Sequence, residues 1–343
     1  MIDRSLWLLT LTRFRLFFRE PSAVFWSFGF PIVLSIALGI AFREKPPEPA
    51  SAAVEAGPGA QAIADTLASS PEVKVRVLDP GLAQAALRSG RAAVVVRPGS
   101  PVVYLFDPAR PESRLARALI DGVLQRAGGR ADPIATREVR VVEPGSRYID
   151  FLIPGLVGLN LMASGMWGIA YVIVENRTQK LLRRMIATPM RRSSFLLSFI
   201  LMRMVFLLVE LPLLFGFGWA VFGVKIQGSL ALVLLLSVLG ALAFSGLGLL
   251  VASRARNTQT VGGLINLVQL PMFIASGVFF SSSNFPDLLQ PAIRLLPLTA
   301  LNDSLRAVVN EGAGWMAVAP QAGVLSATTV ISFGLALWIF RWF

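Results

Sequence analysis

The sequence predicts an α-helical polytopic membrane protein with six transmembrane helices and an inserted α/β extracytoplasmic domain. Six apolar runs reach the length of a membrane-spanning helix, and one long segment of mixed polarity follows the first run. The composition agrees, because 55% of the 343 residues are hydrophobic and only 15% are charged. Soluble domains average about a quarter charged residues. The runs are continuous rather than alternating, which favours helices over the strands of a membrane barrel.

Each predicted span holds about 20 mostly apolar residues. The six spans are 22–42, 151–174, 195–222, 229–252, 261–280 and 319–340. The other segments are an interfacial helix at 1–21, the α/β domain at 43–150, a cytoplasmic coupling helix at 175–194 and an outer re-entrant or interfacial segment at 281–318.

Lysine and arginine in the short loops predict the orientation, because cytoplasmic loops carry an excess of them. With the N-terminus inside, the cytoplasmic segments hold thirteen basic residues, whereas the short outer segments 223–228 and 281–318 hold three. Both termini are therefore expected in the cytoplasm. The segment 1–21 combines aromatic and basic residues, which suits a helix on the inner membrane surface that is attracted to anionic lipids.

The long outer segment reads as a small α/β domain. It opens with a linker, "REKPPEPASAAVEAGPG", rich in proline and alanine. Alternating or continuous apolar residues predict strands in "EVKVRVLD", "RAAVVVRPG", "PVVYLFD" and "TREVRVVEPG". Helical spacing is clearest in "PESRLARALIDGVLQRAGG", which a glycine pair closes. No phosphate-binding loop or paired carboxylates stand out in this domain.

The residue inventory excludes several kinds of chemistry. The chain contains no cysteine and no histidine, so it has no thiol nucleophile, no thiolate metal ligand and no histidine base. It also lacks the Gly-x-x-x-x-Gly-Lys-Ser/Thr loop that binds nucleotide phosphates. We expect no catalytic residue, no metal and no cofactor in this chain. The net charge of +12 lies largely beside spans, which favours membrane lipids over nucleic acid as its partner.

The segment 175–194 carries six basic residues and one acid between two apolar runs. Its pattern predicts a helix of about three turns from Glu175 to Ala187 that ends at Thr188–Pro189, because proline disfavours a helical conformation in the residue before it. Two interpretations are open. The helix docks in a groove of a soluble partner and transmits its motion, or it only anchors the loop to lipid head groups.

Three stretches in a fixed order resemble the permease subunit of ABC-2 type exporters. They are "REPSAVFWSFGFPIVL" at 19–34, "ENRTQKLLRRMIATPMRRSSFLLSF" at 175–199 and "GVFFSSSNFPDLLQPAIRLLPLTALNDSLRAVVNEG" at 277–312. One span, a large outer domain and five further spans resemble the subgroup with an extracytoplasmic insert. The chain departs from that pattern at Asn176–Arg177, where many relatives have an acidic residue and glycine.

The resemblance implies a dimer of two permeases, identical or paralogous, with two copies of a separate ABC ATPase below them. ATP and Mg²⁺ would be used by that ATPase. The residues that match the family's coupling segment, and so are expected in or beside the ATPase groove, are Glu175, Thr178, Leu181, Leu182, Thr188 and Pro189.

Polar residues inside the predicted spans are the candidates for a translocation pathway or a dimer interface. Glu210 lies mid-span, where an ionisable group is costly and faces a bundle interior, a cavity or a neighbouring helix. Asn160, Asn266 and Gln269 suit hydrogen bonds between helices, and the resemblance would also place them on the substrate route. Arg203 is expected to extend to the inner interface.

The outer segment 281–318 contains a predicted short helix that lies at the membrane surface or dips into it. Its apolar residues recur with a spacing of three to four, and Asp303 and Arg306 fall on another face. With Pro297 at its start, we expect this segment to cap the outer exit.

Together with the membrane spans, the resemblance implies an ATP-driven exporter permease in the bacterial inner membrane. Its spans offer few fixed charges, so the expected cargo is lipophilic or amphipathic: a drug, a lipid or a lipid-linked glycan. A periplasmic accessory protein is a candidate partner of the outer domain. Two other functions are weighed against this one: an ion-coupled secondary transporter, and a non-transporting scaffold or sensor that uses the outer domain.

Overall fold

A computed structural model describes residues 4–42, 49–130, 145, 147–186 and 192–340. The chain divides into two compact units. One unit comprises Met1–Arg43 and Val141–Phe343, and the other comprises Glu44–Arg140.

In its described part, the first unit consists of helices and the loops that join them. Its helices are α1 (Arg4–Phe18), α2 (Pro21–Val24), a π-helix (Phe25–Gly29), α3 (Phe30–Ala41), α7 (Tyr148–Thr178), α8 (Leu181–Ile186), α9 (Arg192–Phe222), α10 (Leu230–Ala252), α11 (Thr258–Ala275), α12 (Gln290–Arg294), α13 (Pro297–Glu311) and α14 (Trp315–Ile339). The helices α2 and α3 and the π-helix between them form one continuous helix, Pro21–Ala41.

Five helices of the described chain are long and apolar enough to cross a membrane. They are Pro21–Ala41, Tyr148–Thr178, Ser194–Phe222, Leu230–Ala252 and Trp315–Ile339. The span predicted at 261–280 corresponds to α11, which is shorter and shifted toward the N-terminus. Gly277 has a φ of 68°, a left-handed conformation that a helix cannot continue through, so the apolar run outlasts the helix.

Glycines allow the central helices to approach closely. α10 packs most extensively against α7 and α14. A Cβ atom on Gly248 of α10 would lie 2.8 Å from the carbonyl oxygen of Gly165 on α7, and one on Gly165 would lie 2.9 Å from Cβ of Phe244. Small residues at a crossing let two backbones meet, which is how helices pack in lipid. The α7–α10 pair is therefore the centre of the helical unit.

The second unit is a four-stranded sheet with helices on both faces. Its strands are β1 (Ala50–Glu55), β2 (Val73–Leu78), β3 (Val94–Arg97) and β4 (Val103–Phe106), in the order β2-β1-β3-β4. β1 runs parallel to β2 and β3, and β4 is antiparallel to β3. The helices are α4 (Ala60–Ala68), α5 (Pro80–Arg88) and α6 (Pro111–Ala127).

The core of this unit has two layers. Ala52, Val54 and Val94 turn toward α4 and α6 on one face of the sheet, and Ala53 and Val95 turn toward α5 on the other. The small residues of β1 suit a central strand that is covered on both sides.

Two sequence predictions for this unit need comment. The segment predicted as a linker contains β1. The strand was missed because "ASAAVE" is rich in alanine and has one β-branched residue, Val54, of the kind that usually signals a strand. That part of the linker prediction was wrong. The strand predicted in "TREVRVVEPG" falls almost wholly on residues outside those that the structure describes.

Candidate functional site

The segment that follows the second apolar run forms a corner rather than one straight helix. α7 continues through Thr178, and α8 begins three residues later at Leu181. Lys180 between them has a φ of 59°, the only positive φ at a described non-glycine residue, and this left-handed conformation ends α7. The prediction of a single helix from Glu175 to Ala187 was therefore wrong.

The predicted ATPase contacts differ in their exposure. Thr178 is exposed, and Glu175 and Leu181 are half-buried. The Thr178 hydroxyl donates a hydrogen bond of 2.8 Å to the carbonyl oxygen of Glu175, which fixes the last turn of α7. Thr188 and Pro189 lie outside the described residues.

Leu182 does not belong to this exposed surface. Its side chain is 1% exposed and lies in the hydrophobic core of the helical unit. The prediction that Leu182 touches a partner was wrong, because the side chain is already covered by its own chain. It anchors α8 to the bundle instead.

Arg177 joins the end of α7 to the end of α10. Its Nη1 atom donates to the carbonyl oxygens of Ala252 at 2.9 Å and Ala255 at 2.5 Å, and its Nη2 donates to that of Ser253 at 3.4 Å. The last carbonyl groups of a helix have no partner within the helix, and a cation there is also favoured by the helix dipole. The sequence suggested only a basic surface residue, and nothing local to it identified α10 as the partner.

Glu210 and Arg203 pair with each other inside the helical unit. Arg203 Nη1 lies 2.9 Å from Glu210 Oε1, and Nη2 lies 2.8 Å from Oε2. The side chains are only 4% and 3% exposed. Residues seven apart lie two turns apart on the same side of a helix, which brings the two groups together. The expectation that Arg203 reaches the inner interface was wrong, and Glu210 is enclosed rather than open to a pathway.

Asn160 connects α7 to the first apolar helix. Its side-chain amide donates 3.1 Å to the carbonyl oxygen of Ser27, and the residue is 7% exposed. Ser27 lies in the π-helix, where the wider turn changes which carbonyl groups remain available. Asn160 thus makes a hydrogen bond between helices of one chain, the first of the two roles predicted for it, and its burial argues against the substrate route.

Asn266 and Gln269 lie on a more open face. Asn266 on α11 is exposed, and Gln269 is half-buried and accepts a hydrogen bond of 3.0 Å from the Trp167 indole. Their neighbours Leu267 and Leu270 are 70% and 54% exposed. A polar amide surrounded by exposed apolar side chains is typical of an interface between helices or of the lining of a cavity.

The predicted outer-gate residues lie on α13, which is packed into the helical unit. Pro297 and Arg306 are buried, while Asp303 remains partly exposed. Arg306 donates to the carbonyl oxygen of Phe151 at 3.1 Å and to that of Gly277, and its guanidinium lies 3.5 Å from the centre of the Phe151 ring. Arg306 therefore ties α13 to the start of α7 and the end of α11.

Sequence reasoning missed a second set of contacts at the start of α7, beside those of Arg306. Arg147 makes a bidentate pair with the buried Asp150, at 2.8 Å and 3.0 Å, and also donates 2.9 Å to the carbonyl oxygen of Phe222. Asn310 donates 3.1 Å to the carbonyl oxygen of Asp150. The signal for the pair was the arginine and aspartate three residues apart at a helix start; the contacts to α9 and α13 are long-range and leave no local pattern.

Comparison with known proteins agrees with this architecture. The family described as ABC-2 family transporter protein matches residues 21–338. ABC transporter G family member 20 of Dictyostelium discoideum is 31% identical over 206 residues, which are 59% of this chain and 28% of that protein. The inner membrane transport permease YhhJ of Escherichia coli (strain K12) is 32% identical over 121 residues, 35% of this chain and 32% of that protein.

A third relative is matched over a longer stretch at lower identity. The probable multidrug ABC transporter permease YbhS of Escherichia coli (strain K12) is 22% identical over 247 residues, which are 69% of this chain and 66% of that protein. The chain thus covers between 28% and 66% of the length of these three relatives. Because the family match extends over most of the chain, from residue 21 to residue 338, this multi-pass membrane protein belongs to the ABC-2 family of transporter proteins.

Proposed function

We propose that this chain is the permease subunit of an ATP-driven exporter, and that a separate ATPase supplies the energy. The family match supports a transport role, and the sequence itself contains no phosphate-binding loop. The cargo is lipophilic or amphipathic, a drug, a lipid or a lipid-linked glycan. YbhS is named as a probable multidrug permease, which is consistent with that class.

The proposed topology has six spans in the bacterial inner membrane. α11 is the sixth span beside the five more apolar helices, and its polar residues, among them Gln259, Asn266 and Gln269, lower its hydropathy. The excess of basic residues in the short loops supports a cytoplasmic N-terminus and a cytoplasmic α7–α8 corner. The α/β unit between α3 and α7 then lies outside, where an accessory protein can bind it.

One observation carries the proposed coupling: the α7–α8 corner is exposed at its tip and fixed at its base. Thr178 is exposed, whereas Leu182 is buried in the bundle core and Arg177 is hydrogen-bonded to the end of α10. A force applied by an ATPase at Thr178, Glu175 and Leu181 would therefore act on α7 and α10 together. A loop that only binds lipid head groups would need neither attachment.

Two permease copies meet, in this proposal, along α11 and the neighbouring side of α7. Asn266, Gln269 and Trp167 offer polar groups on an otherwise apolar exposed face. Opening of this interface would form the substrate route. Pro297, Asp303 and Arg306 of α13 belong to the outer gate of the route, since Arg306 connects α13 to both α7 and α11.

The ion-coupled alternative loses support from the pairing within α9. A carrier of that kind needs an intramembrane carboxyl group that exchanges ions or protons. Glu210, the one acidic residue at the centre of a predicted span, is enclosed and held by two hydrogen bonds from Arg203.

The test of the proposal is assembly with an ATPase, which is sought first among the genes adjacent to that of this chain. In Leu181→Asp, a charge replaces an apolar group at the proposed contact, and we expect the amount of co-purified ATPase to fall by about tenfold, the equivalent of roughly 1.4 kcal/mol. Lys225→Asp, at an exposed residue in the loop between α9 and α10, is the matched control and should retain the ATPase. Equal retention by both folded variants would refute the assigned contact.

A further inference from the structure

Arg13 of α1 lies against two aromatic rings of α9. Its guanidinium carbon is 3.3 Å from the centre of the Phe199 ring and 5.0 Å from that of Phe195. Both phenylalanines are buried, at 4% and 1% exposure. The aromatic faces attract the cation and restrict the positions that its guanidinium can take.

The aromatic contact leaves the hydrogen-bonding groups of Arg13 unused. An arginine carries five N–H donors in the plane of its guanidinium, and a ring stacked on that plane satisfies none of them. The Nε atom is buried without a hydrogen-bond partner, and no hydrogen bond or ion pair of Arg13 is found within the part of the chain that the structure describes. The side chain as a whole is half-buried, so its outer edge remains within reach of a ligand.

A desolvated cation without an anion is costly. Burial lowers the pKa of Arg13 to about 9, and no neighbouring carboxylate opposes that shift. Arg203 and Arg306, which are more deeply buried in the same unit, have a carboxylate or carbonyl oxygens as acceptors. Arg13 differs from them in having donors that are oriented but unused, and these fit an acceptor with two oxygens in one plane, as a phosphate offers.

The rest of α1 indicates where that phosphate comes from. Trp7, Leu8 and Leu16 are 61%, 53% and 57% exposed, and Arg15 is exposed among them. A helix with exposed apolar and basic side chains lies at the boundary between head groups and acyl chains. At that depth the phosphate that can reach Arg13 is the one in a phospholipid head group.

We propose that Arg13, held by Phe195 and Phe199, is a binding site for the phosphate group of an inner-leaflet anionic phospholipid. The proposal depends on the proposed function only for the position of α1 at the inner membrane surface. It differs from general attraction of a basic helix to the membrane, because it assigns the binding to one arginine and not to its exposed neighbour Arg15. A lipid at this place would join α1 to the first turns of α9.

The test measures lipid binding by the purified full-length chain in detergent, without any ATPase, by native mass spectrometry. The probes are phosphatidylglycerol and a glucosyl diacylglycerol, which has no phosphate. We expect the chain to retain phosphatidylglycerol preferentially, and Arg13→Ala to weaken this binding by about tenfold or more, as for loss of a charge-assisted hydrogen bond. Arg15→Ala, which removes the same charge from the same helix, should change it by less than about twofold.

Two further variants keep the test informative if Arg13→Ala does not fold. Arg13→Lys keeps the charge but loses the planar fork, and Phe199→Leu keeps Arg13 but removes the ring below it; each should also weaken phosphatidylglycerol binding. Equal losses in Arg13→Ala and Arg15→Ala, or no loss in any Arg13 or Phe199 variant, would overturn the proposal. Displacement of the lipid by millimolar inorganic phosphate would show a site for free anions and would overturn the lipid assignment. None of these readouts depends on transport, so a failed coupling experiment leaves this test intact.

Discussion

Several arginines of the helical unit act on the ends of neighbouring helices. Arg147 donates to the carbonyl oxygen of Phe222 at the end of α9, Arg177 to that of Ala252 at the end of α10, and Arg306 to that of Gly277 just after α11. Carbonyl groups at helix ends lack partners within the helix and are costly to bury unpaired. Arg177 donates to three carbonyl oxygens and Arg306 to two, because the donors of arginine are arranged in a fork.

The Arg203–Glu210 pair gives a prediction for stability. Arg203→Met leaves Glu210 buried without its partner, and Glu210→Leu leaves the arginine unpaired. The free energy of unfolding of each single variant should therefore fall by about 3–5 kcal/mol. The double variant replaces both charges by apolar groups and should be more stable than either single one. Thermal unfolding of the four proteins in the same detergent measures this. If the stability lost by the double variant equals the sum of the losses of the two single variants, the pairing of Arg203 with Glu210 is not what destabilises the single variants.

Tyr104 gives a prediction for pH dependence in the α/β unit. Burial, and a hydrogen bond of 3.1 Å from its hydroxyl to Asp121, raise the pKa of Tyr104 from 10.0 to about 12. The folded state holds this proton more tightly than the unfolded state. The stabilisation that protonated Tyr104 gives to the folded state is therefore fully present below pH 10 and is lost as the pH rises toward about 12.

Tyr104→Phe removes that contribution. We expect the wild-type chain to lose more stability than the variant between pH 10 and pH 12, as followed by the unfolding temperature of the α/β unit. Identical pH profiles for the two proteins would contradict this assignment.

At the scale of the helices, the α7–α10 crossing depends on glycine. In Gly248→Ala the new Cβ would lie 2.8 Å from the carbonyl oxygen of Gly165 and 3.1 Å from Cα of Met166. Backbone atoms cannot move aside as a side chain can, so we expect the free energy of unfolding to fall by about 1–3 kcal/mol. Gly334→Ala on α14 meets nothing within 4 Å and should be neutral or slightly stabilising. Unfolding midpoints of both variants check this, and equal midpoints would contradict it.

The sequence predicted the helices well where a physical signal was local. Long continuous apolar runs identified the five most apolar spans, because only a bilayer requires such runs. Helix ends were less certain: the left-handed residues Lys180 and Gly277 stop α7 and α11, and neither position has a unique sequence signal. β1 was missed because its alanine-rich sequence resembles a linker.

The candidate site was less predictable than the fold, because its contacts are between distant parts of the chain. Thr178 is exposed, as an expected contact with a partner requires, and Asn266 is exposed on α11. Leu182 was assigned to an outside contact, yet it is covered by other helices of its own chain. For Asn160 the sequence predicted a hydrogen bond between helices, and its partner is the carbonyl oxygen of Ser27. The spacing of Arg203 and Glu210 held a usable signal, since seven residues correspond to two turns. The partner of Arg177 on α10 could not be inferred locally, since 75 residues separate Arg177 from Ala252.

At the scale of the whole molecule, the proposed function requires a separate ATPase to act on the helical bundle through the α7–α8 corner. The same helix α7 is clasped at its start by Arg147 and Arg306 and at its end by Arg177. Displacement of its cytoplasmic end is therefore expected to reach the α13 segment at the other end. This account requires Thr178 and the α/β unit to face opposite sides of the membrane.

Sided cysteine labelling tests that requirement most directly, because the natural chain has no cysteine. Thr178→Cys and Gln61→Cys each introduce one thiol at an exposed position, at the end of α7 and on α4 of the α/β unit. A membrane-impermeant maleimide applied to spheroplasts should label Gln61→Cys only. In inverted vesicles it should label Thr178→Cys, and the bound ATPase should protect that thiol. Labelling of Thr178→Cys in intact spheroplasts would contradict the account.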